Sequence, residues 1–192
     1  MNPIKKINFP VSADAVSRLA CGDILHLSGT IFTGRDAFHK YLFDGGKIDF
    51  SLAGQGIYHC GPVMKKVDEH WEVIAAGPTT SIREEPYMAQ LIKDYSIRAV
   101  IGKGGMGDKT AEACKKYKCL YLAAPGGCAQ ILANSIKCVE SVSFLEEFGS
   151  PEAVWELKIK DFPVIVAIDT TGRNLFKEIE TESRNHFLSA CH

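Results

Sequence analysis

The sequence has almost no net charge, and this excludes several classes of partner. Its 22 Lys and Arg residues against 23 Asp and Glu residues give a formal net charge of −1 at pH 7. A chain without a basic excess has no general attraction for nucleic acid or for an anionic membrane surface. We therefore expect neither nucleic acid nor a membrane as partner, and any anion-binding site has to be local.

Long apolar runs are also missing. The longest, FPVIVAI at 162–168, is far shorter than the roughly 20 residues that span a bilayer. The opening residues, MNPIKKINFPVSADAV, hold two lysines but no apolar segment of the kind that a signal peptide contains. These observations predict a cytoplasmic protein.

The cysteines lack a pattern that would hold a metal. They are an odd set of seven, without a CxxC pair or a zinc-ribbon spacing, and no histidine lies between His70 and His186. This favours reduced, mostly buried thiols and no zinc or iron–sulfur site within the chain, so that any metal would sit on a partner. Cys128, at a junction between a strand and a helix, is interpreted as a buried thiol outside the site.

Alternating β and α patterns dominate the middle of the chain. The first third is rich in strands: DILHLSGTIFTG (23–34) precedes a short helix (35–44), and GIYHCGPVMKK and HWEVIAAG pair as a hairpin. After Gly77 the pattern predicts consecutive βα units, typical of a parallel sheet with covering helices. These are a helix at 85–95, the strand IRAVIG, a helix at 108–117, the strand CLYLAAP and a helix at 127–135.

The last third returns to β structure. It contains a strand near 137–142, a pair of strands, AVWELKIK and PVIVAID, and a polar tail from about residue 174 that favours a helix. We therefore expect an α/β fold in which mixed β layers from both ends of the chain carry an inserted parallel βα unit. The two parts would share one core.

The stretch VIGKGGMGDKT (100–110) has four glycines in six positions. Gly102, Gly104 and Gly107 satisfy G-x-G-x-x-G between a strand and a helix, but a dinucleotide site also needs an acidic residue about 20 residues further on. No Asp or Glu lies between Glu112 and Glu140, which argues against NAD. Asp108 interrupts the phosphate-loop pattern and argues against ATP or GTP.

A small anion such as a carboxylate suits the glycine loop better. Lys103 lies inside the loop, with backbone N–H groups and the positive end of a helix behind it. The alternative is a glycine turn that packs the helix closely on the sheet while Lys103 points into solvent.

Two further junctions between a strand and a helix carry a cation beside small residues. In AAGPTTSIREE (75–85), a helical turn would place Thr79 and Arg83 on one face, where an arginine fork binds a carboxylate and a hydroxyl relays a proton. In SGTIFTGRDAFHK (28–40), Arg35 and His39 are four apart on a helix that begins near Asp36. Alternatively, these segments supply only helix caps, and Arg83 pairs with a neighbouring glutamate. Together the three junctions favour a pocket for a compound with two carboxylates.

The motifs SGTIFTGRDAFHKYL, AGPTTSIR, VIGKGGMG and DFPVIVAID closely resemble the C-terminal domain of class I, iron–sulfur fumarases. In two-subunit enzymes that domain is a separate β subunit, and the tartrate dehydratase β subunit is a close sister. The resemblance covers about residues 4–172 and implies a single domain over residues 1–192 with a swivelling β/β/α arrangement.

The resemblance assigns roles to the residues that match its motifs. Arg35, Thr79, Arg83 and Lys103 would bind the substrate, with Thr79 and Lys103 catalytic. His39, Gly102, Gly104 and Gly105 would support them, and no residue would bind metal. One departure is Glu84, which stands where the family commonly has methionine and is expected to alter the local charge.

The resemblance also implies partners and a reaction. A [4Fe–4S] cluster would be held by an α subunit and not by this chain. The complex would be a hydro-lyase of the tricarboxylic acid cycle that hydrates the small dicarboxylate fumarate to (S)-malate. Tartrate dehydration to oxaloacetate and a non-catalytic dicarboxylate-binding module are the alternatives. An α2β2 assembly is implied for the complex, and the isolated chain could be a monomer or a homodimer.

Overall fold

The structure, a computed structural model, describes residues 3–190. Nine strands are found in that range: β1 Lys5–Asn8, β2 Ile24–Thr33, β3 Gly56–Tyr58, β4 Val63–Val67, β5 His70–Ala75, β6 Ala99–Gly102, β7 Leu120–Ala123, β8 Ile136–Ser143 and β9 Val154–Ile168. The helices are α1 Ala13–Val16, α2 Asp36–Phe43, α3 Glu85–Tyr95, α4 Asp108–Tyr117, α5 Ala129–Asn134, α6 Leu145–Phe148 and α7 Leu175–Ala190, with a 3₁₀ helix at Ser81–Glu84. The predicted α/β class is confirmed. In residues 3–190 no helix is both long and apolar enough to cross a membrane.

Five strands close into a mixed barrel. β2, β3, β6 and β7 are parallel neighbours, and β9 runs antiparallel between β7 and β2, so that the sheet returns to its first strand. β1 extends the barrel beside β2, and β8 extends it beside β9. The predicted hairpin is formed by β4 and β5 as a separate two-stranded sheet. β3, which the sequence pattern joined to β4, belongs to the barrel instead.

The expectation of an inserted βα unit needs correction. β6 and β7 are barrel strands that pair directly with β3 and β9, so the βα units and the β-rich ends build one sheet. The predicted pair of strands at the end of the chain is likewise a single strand, β9. Asp161 interrupts it at φ 53°, and the register against β2 shifts nearby, which describes a bulge and not a turn.

Alternation along the strands separates two apolar clusters. In β6, Ala99 and Ile101 face the barrel interior with Leu25, Leu27 and other barrel residues, whereas Val100 packs outward. The outer cluster contains side chains of the covering helices, among them Phe38 of α2, Met88 and Leu91 of α3 and Cys114 of α4. A strand covered on both faces reads as a continuous apolar run, which explains the pattern AVIG. The polar tail forms α7, and its exposed apolar residues include Phe176 and Ile179.

Candidate functional site

Three parallel barrel strands end at the same edge, and a predicted site segment follows two of them. Arg35 comes two residues after β2, and Lys103 comes directly after β6; His59 follows β3, which lies between them. Ligands of parallel sheets bind at the carboxyl ends of the strands. The barrel therefore brings the segments of Arg35 and Lys103 to one end of the molecule.

Thr79 and Lys103 lie on adjacent backbone segments. The Lys103 N–H donates to the Thr79 carbonyl at 3.2 Å, and the Ser81 N–H donates to the Lys103 carbonyl at 3.0 Å. These bonds make a parallel bridge between Thr80 and Lys103. The Lys103 side chain is exposed, and no ion pair among residues 3–190 involves it. The barrel end thus holds the backbone of Lys103 beside that of Thr79.

The two arginines hold carboxylates of the chain itself. Arg83 Nη2 donates to Asp36 Oδ2 at 2.8 Å. Arg35 Nη2 lies 3.2 Å from Glu152 Oε1 and 3.9 Å from the same Asp36 oxygen. Glu152 also accepts from the Ala37 N–H at 3.0 Å, in the first turn of α2. Both guanidinium groups therefore converge on the Asp36 carboxylate, which shows that they can share one anion.

The expected helical pairing of site residues is not found. The 3₁₀ helix begins at Ser81, after an extended Thr80, so Thr79 lies outside the turn that carries Arg83. Similarly, α2 begins at Asp36 and Arg35 has extended backbone at φ −138°. His39 is completely buried, whereas Arg35 is partly exposed. Arg35 therefore lies just after the end of β2, and Arg83 lies in the 3₁₀ helix; neither residue is brought to its expected partner by helical spacing.

His39 forms a buried pair with Glu84. His39 Nδ1 lies 2.8 Å from Glu84 Oε2, and both side chains have no exposed surface. Glu84, which was expected to alter the local charge, therefore places its carboxylate in the interior against His39. His39 Nε2 and Glu84 Oε1 have no hydrogen-bond partner among residues 3–190. The pair joins α2 to the 3₁₀ helix beneath Arg83.

The start of α4, which follows the glycine loop, was expected to bind a ligand anion but binds a side chain of the protein itself. Glu85 Oε2 accepts from the Gly107 N–H at 2.7 Å, and Glu85 Oε1 accepts from the Thr110 N–H at 3.1 Å. The Thr110 hydroxyl donates to Glu85 as well, at 2.6 Å. The anion at the start of α4 is therefore the chain's own Glu85 carboxylate, and the helix end is already occupied. The Lys103 side chain, by contrast, is exposed and remains available to a ligand.

Two glycines of the loop have a clear steric requirement. A Cβ on Gly102 would collide with Ser81 Oγ, so glycine lets the Ser81 segment lie against the end of β6. Gly104 has φ 72°, in the left-handed region that glycine adopts without strain. A Cβ on Gly105 would meet Phe176 at an ordinary 3.5 Å. Gly102 and Gly104 thus shape the loop, whereas Gly105 tolerates a side chain.

Replacing Glu85 by alanine should lower the free energy of unfolding by about 2–3 kcal/mol, because it removes a helix cap and leaves the buried Thr110 hydroxyl without its acceptor. Urea unfolding of the purified chain would measure the change. Glu112→Ala, at an exposed position of α4, the helix that Glu85 caps, is the matched control and should change the unfolding midpoint little. Equal midpoints for the two variants would contradict the capping role.

The cysteines do not assemble into a metal site in the part of the chain that is described. Cys60, Cys114 and Cys119 are buried, Cys21 and Cys128 are partly buried and Cys138 is exposed; Cys191 lies outside the described residues. No group of three His, Cys, Asp or Glu residues within 3–190 could hold a metal ion. These residues therefore do not fit an iron–sulfur cluster.

Sequence reasoning missed three residues that touch the predicted site. Asp36 and Glu152 hold the arginines, and His59 lies directly beneath Thr79. His59 could have been found, because it follows a strand in the same way as Lys103. The two carboxylates could not, because their pairing depends on which loops the barrel brings together.

Comparison with known proteins identifies the family of the chain. Residues 3–179 match the family model described as Fumarase C-terminus. The chain is 52% identical over 176 residues to a Geobacillus stearothermophilus protein provisionally named as a class I fumarate hydratase, covering 91% of this chain but 34% of that protein. It is 39% identical over 176 residues to the L(+)-tartrate dehydratase subunit beta of Escherichia coli K12, covering 91% of this chain and 87% of the subunit.

A third relative is a Methanocaldococcus jannaschii protein, provisionally named as an L(+)-tartrate dehydratase subunit beta. It is 46% identical over 169 residues, which cover 85% of this chain and 87% of that protein. The chain thus spans about a third of the length of the Geobacillus protein and most of the length of the two subunits. The resemblance read from the motifs is confirmed, and the chain belongs to the Fumarase C-terminus family.

Proposed function

We propose that this chain is the β subunit of a hydro-lyase that reversibly hydrates fumarate to (S)-malate. The observation that carries the proposal is the pairing of Thr79 with Lys103 at the end of the barrel where Arg35 and Arg83 also lie. Arg35 and Lys103 follow parallel strands, and Thr79 and Arg83 are brought to the same end by the bonds to Lys103 and Asp36. Three cations and a hydroxyl there suit a small compound with two carboxylates.

The chemistry of hydration needs such cations. In the dehydration direction, a proton leaves a carbon beside a carboxylate, and negative charge builds up on that carboxylate as an aci-carboxylate. Preorganised positive groups stabilise this charge more in the transition state than in the ground state. Lys103 is our candidate for this role, and Arg35 and Arg83 would bind the carboxylates.

Thr79 is our candidate for the proton path. Its hydroxyl donates to the His59 carbonyl at 3.0 Å, which fixes the direction of its hydrogen and leaves oxygen lone pairs for the substrate. The hydroxyl group that departs from malate would be handled by groups outside this chain.

The arginines can exchange partners when substrate binds. Asp36 occupies one Nη atom of Arg83, and both residues are about half exposed, so water already weakens this ion pair. A substrate carboxylate that enters between Arg83 and Arg35 would replace Asp36 as the shared anion. Asp36 thus supports the proposed position of one carboxylate.

A partner is part of the proposal. The tartrate dehydratase relatives are named as beta subunits, and the Geobacillus protein is about three times as long as the matched region. We infer an α subunit that carries the [4Fe–4S] cluster, an α2β2 assembly, and the swivelling β/β/α arrangement implied by the resemblance. A groove of about 650 Å³ beside the glycine loop, lined by exposed apolar residues such as Ile82 and Ile179, supports a contact surface near the site.

Tartrate is the second candidate substrate. Two of the relatives above carry the name L(+)-tartrate dehydratase subunit beta, with identities of 46% and 39%. Tartrate also has two carboxylates, so the same cations would bind it. A third candidate, a dicarboxylate-binding module without catalysis, would retain the cations but need no α subunit.

Anaerobic co-expression with a candidate α subunit, followed by purification and iron loading, tests the proposal. Hydration of fumarate and dehydration of malate and both tartrate enantiomers should be measured with each chain alone and with the complex. We expect turnover of fumarate that requires both chains.

The other outcomes separate the alternatives. Turnover of tartrate without fumarate would replace the substrate but keep the hydro-lyase. Absence of any complex, together with binding of succinate to the chain alone, would overturn the subunit proposal and favour a binding module.

A further inference from the structure

His59 is a buried residue to which the proposed function gives no role. It follows β3 and has no exposed surface. Its carbonyl accepts from the Thr79 N–H at 2.7 Å and from the Thr79 hydroxyl at 3.0 Å, while its own N–H donates to the Ile101 carbonyl at 2.8 Å. His59 therefore holds both the backbone and the side chain of Thr79 against the barrel.

The imidazole of His59 reaches Lys103 through Ser81. Nδ1 of His59 lies 2.9 Å from the hydroxyl oxygen of Ser81, which is also completely buried. The Ser81 N–H donates to the Lys103 carbonyl, and the Lys103 N–H donates to the Thr79 carbonyl. The ring, the serine and the two site residues thus form one chain of contacts. A side chain at position 102 would collide with the Ser81 hydroxyl, so this arrangement needs Gly102.

The environment of the ring keeps it uncharged. Burial, with smaller contributions from His39 and Arg83, lowers the pKa of His59 well below its usual value. The rings of His59 and His39 meet edge to face, with centroids 5.0 Å apart. His59 Nε2 has no hydrogen-bond partner in the described residues. The hydrogen bond between Nδ1 and the Ser81 hydroxyl is therefore the one side-chain hydrogen bond of the ring in the described residues.

We propose that His59, acting through the Ser81 hydroxyl, is a positioning residue that holds Thr79 and Lys103 in the geometry that the reaction needs. This inference rests on the proposed function, because it assigns Thr79 and Lys103 to catalysis. It adds a residue that contacts neither substrate nor cofactor.

Kinetics of the assembled complex test the inference. Ser81→Ala and His59→Leu each remove the bond between the ring and the hydroxyl, and each should lower kcat about tenfold, the effect of one hydrogen bond on a barrier, with a smaller change in KM. The double variant should lose no more than the more severe single variant, because both changes remove the same interaction. His59→Asn, whose amide can replace Nδ1, should recover most of kcat.

A matched control separates positioning from general destabilisation. Ser28→Ala also removes a serine hydroxyl that makes a hydrogen bond, here from the Asp161 N–H at 3.1 Å in the strand bulge. It should leave kcat unchanged. An equal loss of kcat in Ser28→Ala, unchanged kcat in Ser81→Ala, or additive losses in the double variant would overturn the positioning role.

Amide hydrogen exchange of the full chain decides the inference independently of turnover. In Ser81→Ala the amides of Thr79, Ser81 and Lys103 should exchange about tenfold faster than in the wild type, and in Ser28→Ala they should not. Unchanged exchange at these amides in Ser81→Ala would overturn the inference. A wild-type complex without activity on any dicarboxylate would overturn the proposed function, and the exchange rates would then still show whether His59 orders the segment.

Discussion

Lys103→Ala is expected to lower the kcat/KM of the assembled enzyme for fumarate about 100-fold or more, which is the effect of removing one preorganised group that stabilises negative charge in a transition state. The Lys103 side chain is exposed, its backbone pairs with that of Thr79, and no ion pair among residues 3–190 involves it. Its charge is therefore available to a ligand. Steady-state hydration assays on the complex measure the loss.

The same substitution should leave the fold intact. An exposed lysine without an ion pair contributes little to stability, so the free energy of unfolding should change by less than about 0.5 kcal/mol. Lys109→Ala removes an equal charge from an exposed position of α4 and should retain activity. Full activity in Lys103→Ala would show that Lys103 has no role in the reaction. Equal losses in both variants would show that it acts only through the general charge of the surface.

Glu84→Ala is expected to have the largest effect on stability, lowering the free energy of unfolding by about 3–5 kcal/mol. Glu84 and His39 are 2.8 Å apart and have no exposed surface. Removing one member of such a pair leaves the other buried without its partner, which costs more than the intact pair contributes. Urea unfolding monitored by circular dichroism would measure the loss in the purified chain.

Two further variants define the origin of that effect. Glu84→Gln keeps a side-chain oxygen and nearly the same volume, so it should lose less than Glu84→Ala. Glu147→Ala, an exposed glutamate in α6, should change stability little. If Glu84→Ala unfolds at the same urea concentration as Glu147→Ala, the buried pair does not stabilise the fold.

Local sequence signals predicted the helices better than the closure of the sheet. The predicted bounds of α3 and α4 match the structure, because each has a regular apolar face and ends beside a turn. β9 was predicted as two strands, since Asp161 and Pro163 in its middle are typical of a turn. Its partner β2 begins 130 residues earlier, and no local pattern indicates a pairing over that distance.

The sequence predicted the strand ends that form the candidate site, but not the ion pairs that its side chains make. Arg35, Thr79 and Lys103 were identified because each lies where a strand ends beside small residues. The carboxylate partners Asp36, Glu85 and Glu152 were not recognised, since an acidic residue acquires its partner only when the tertiary structure brings loops together. The role of the α4 end was wrong for the same reason: Glu85 precedes that helix by 23 residues and still fills its end.

Closure of the barrel by β9 has a consequence for synthesis on the ribosome. β2 and β7 do not pair directly. β9, Val154–Ile168, lies between them and pairs with both. Until that strand has left the exit tunnel, the nascent chain carries two open sheet edges and an uncovered apolar interior, which are features that favour aggregation. The barrel therefore closes only after residue 168 has left the tunnel, and a chain truncated before residue 154 should keep both edges open.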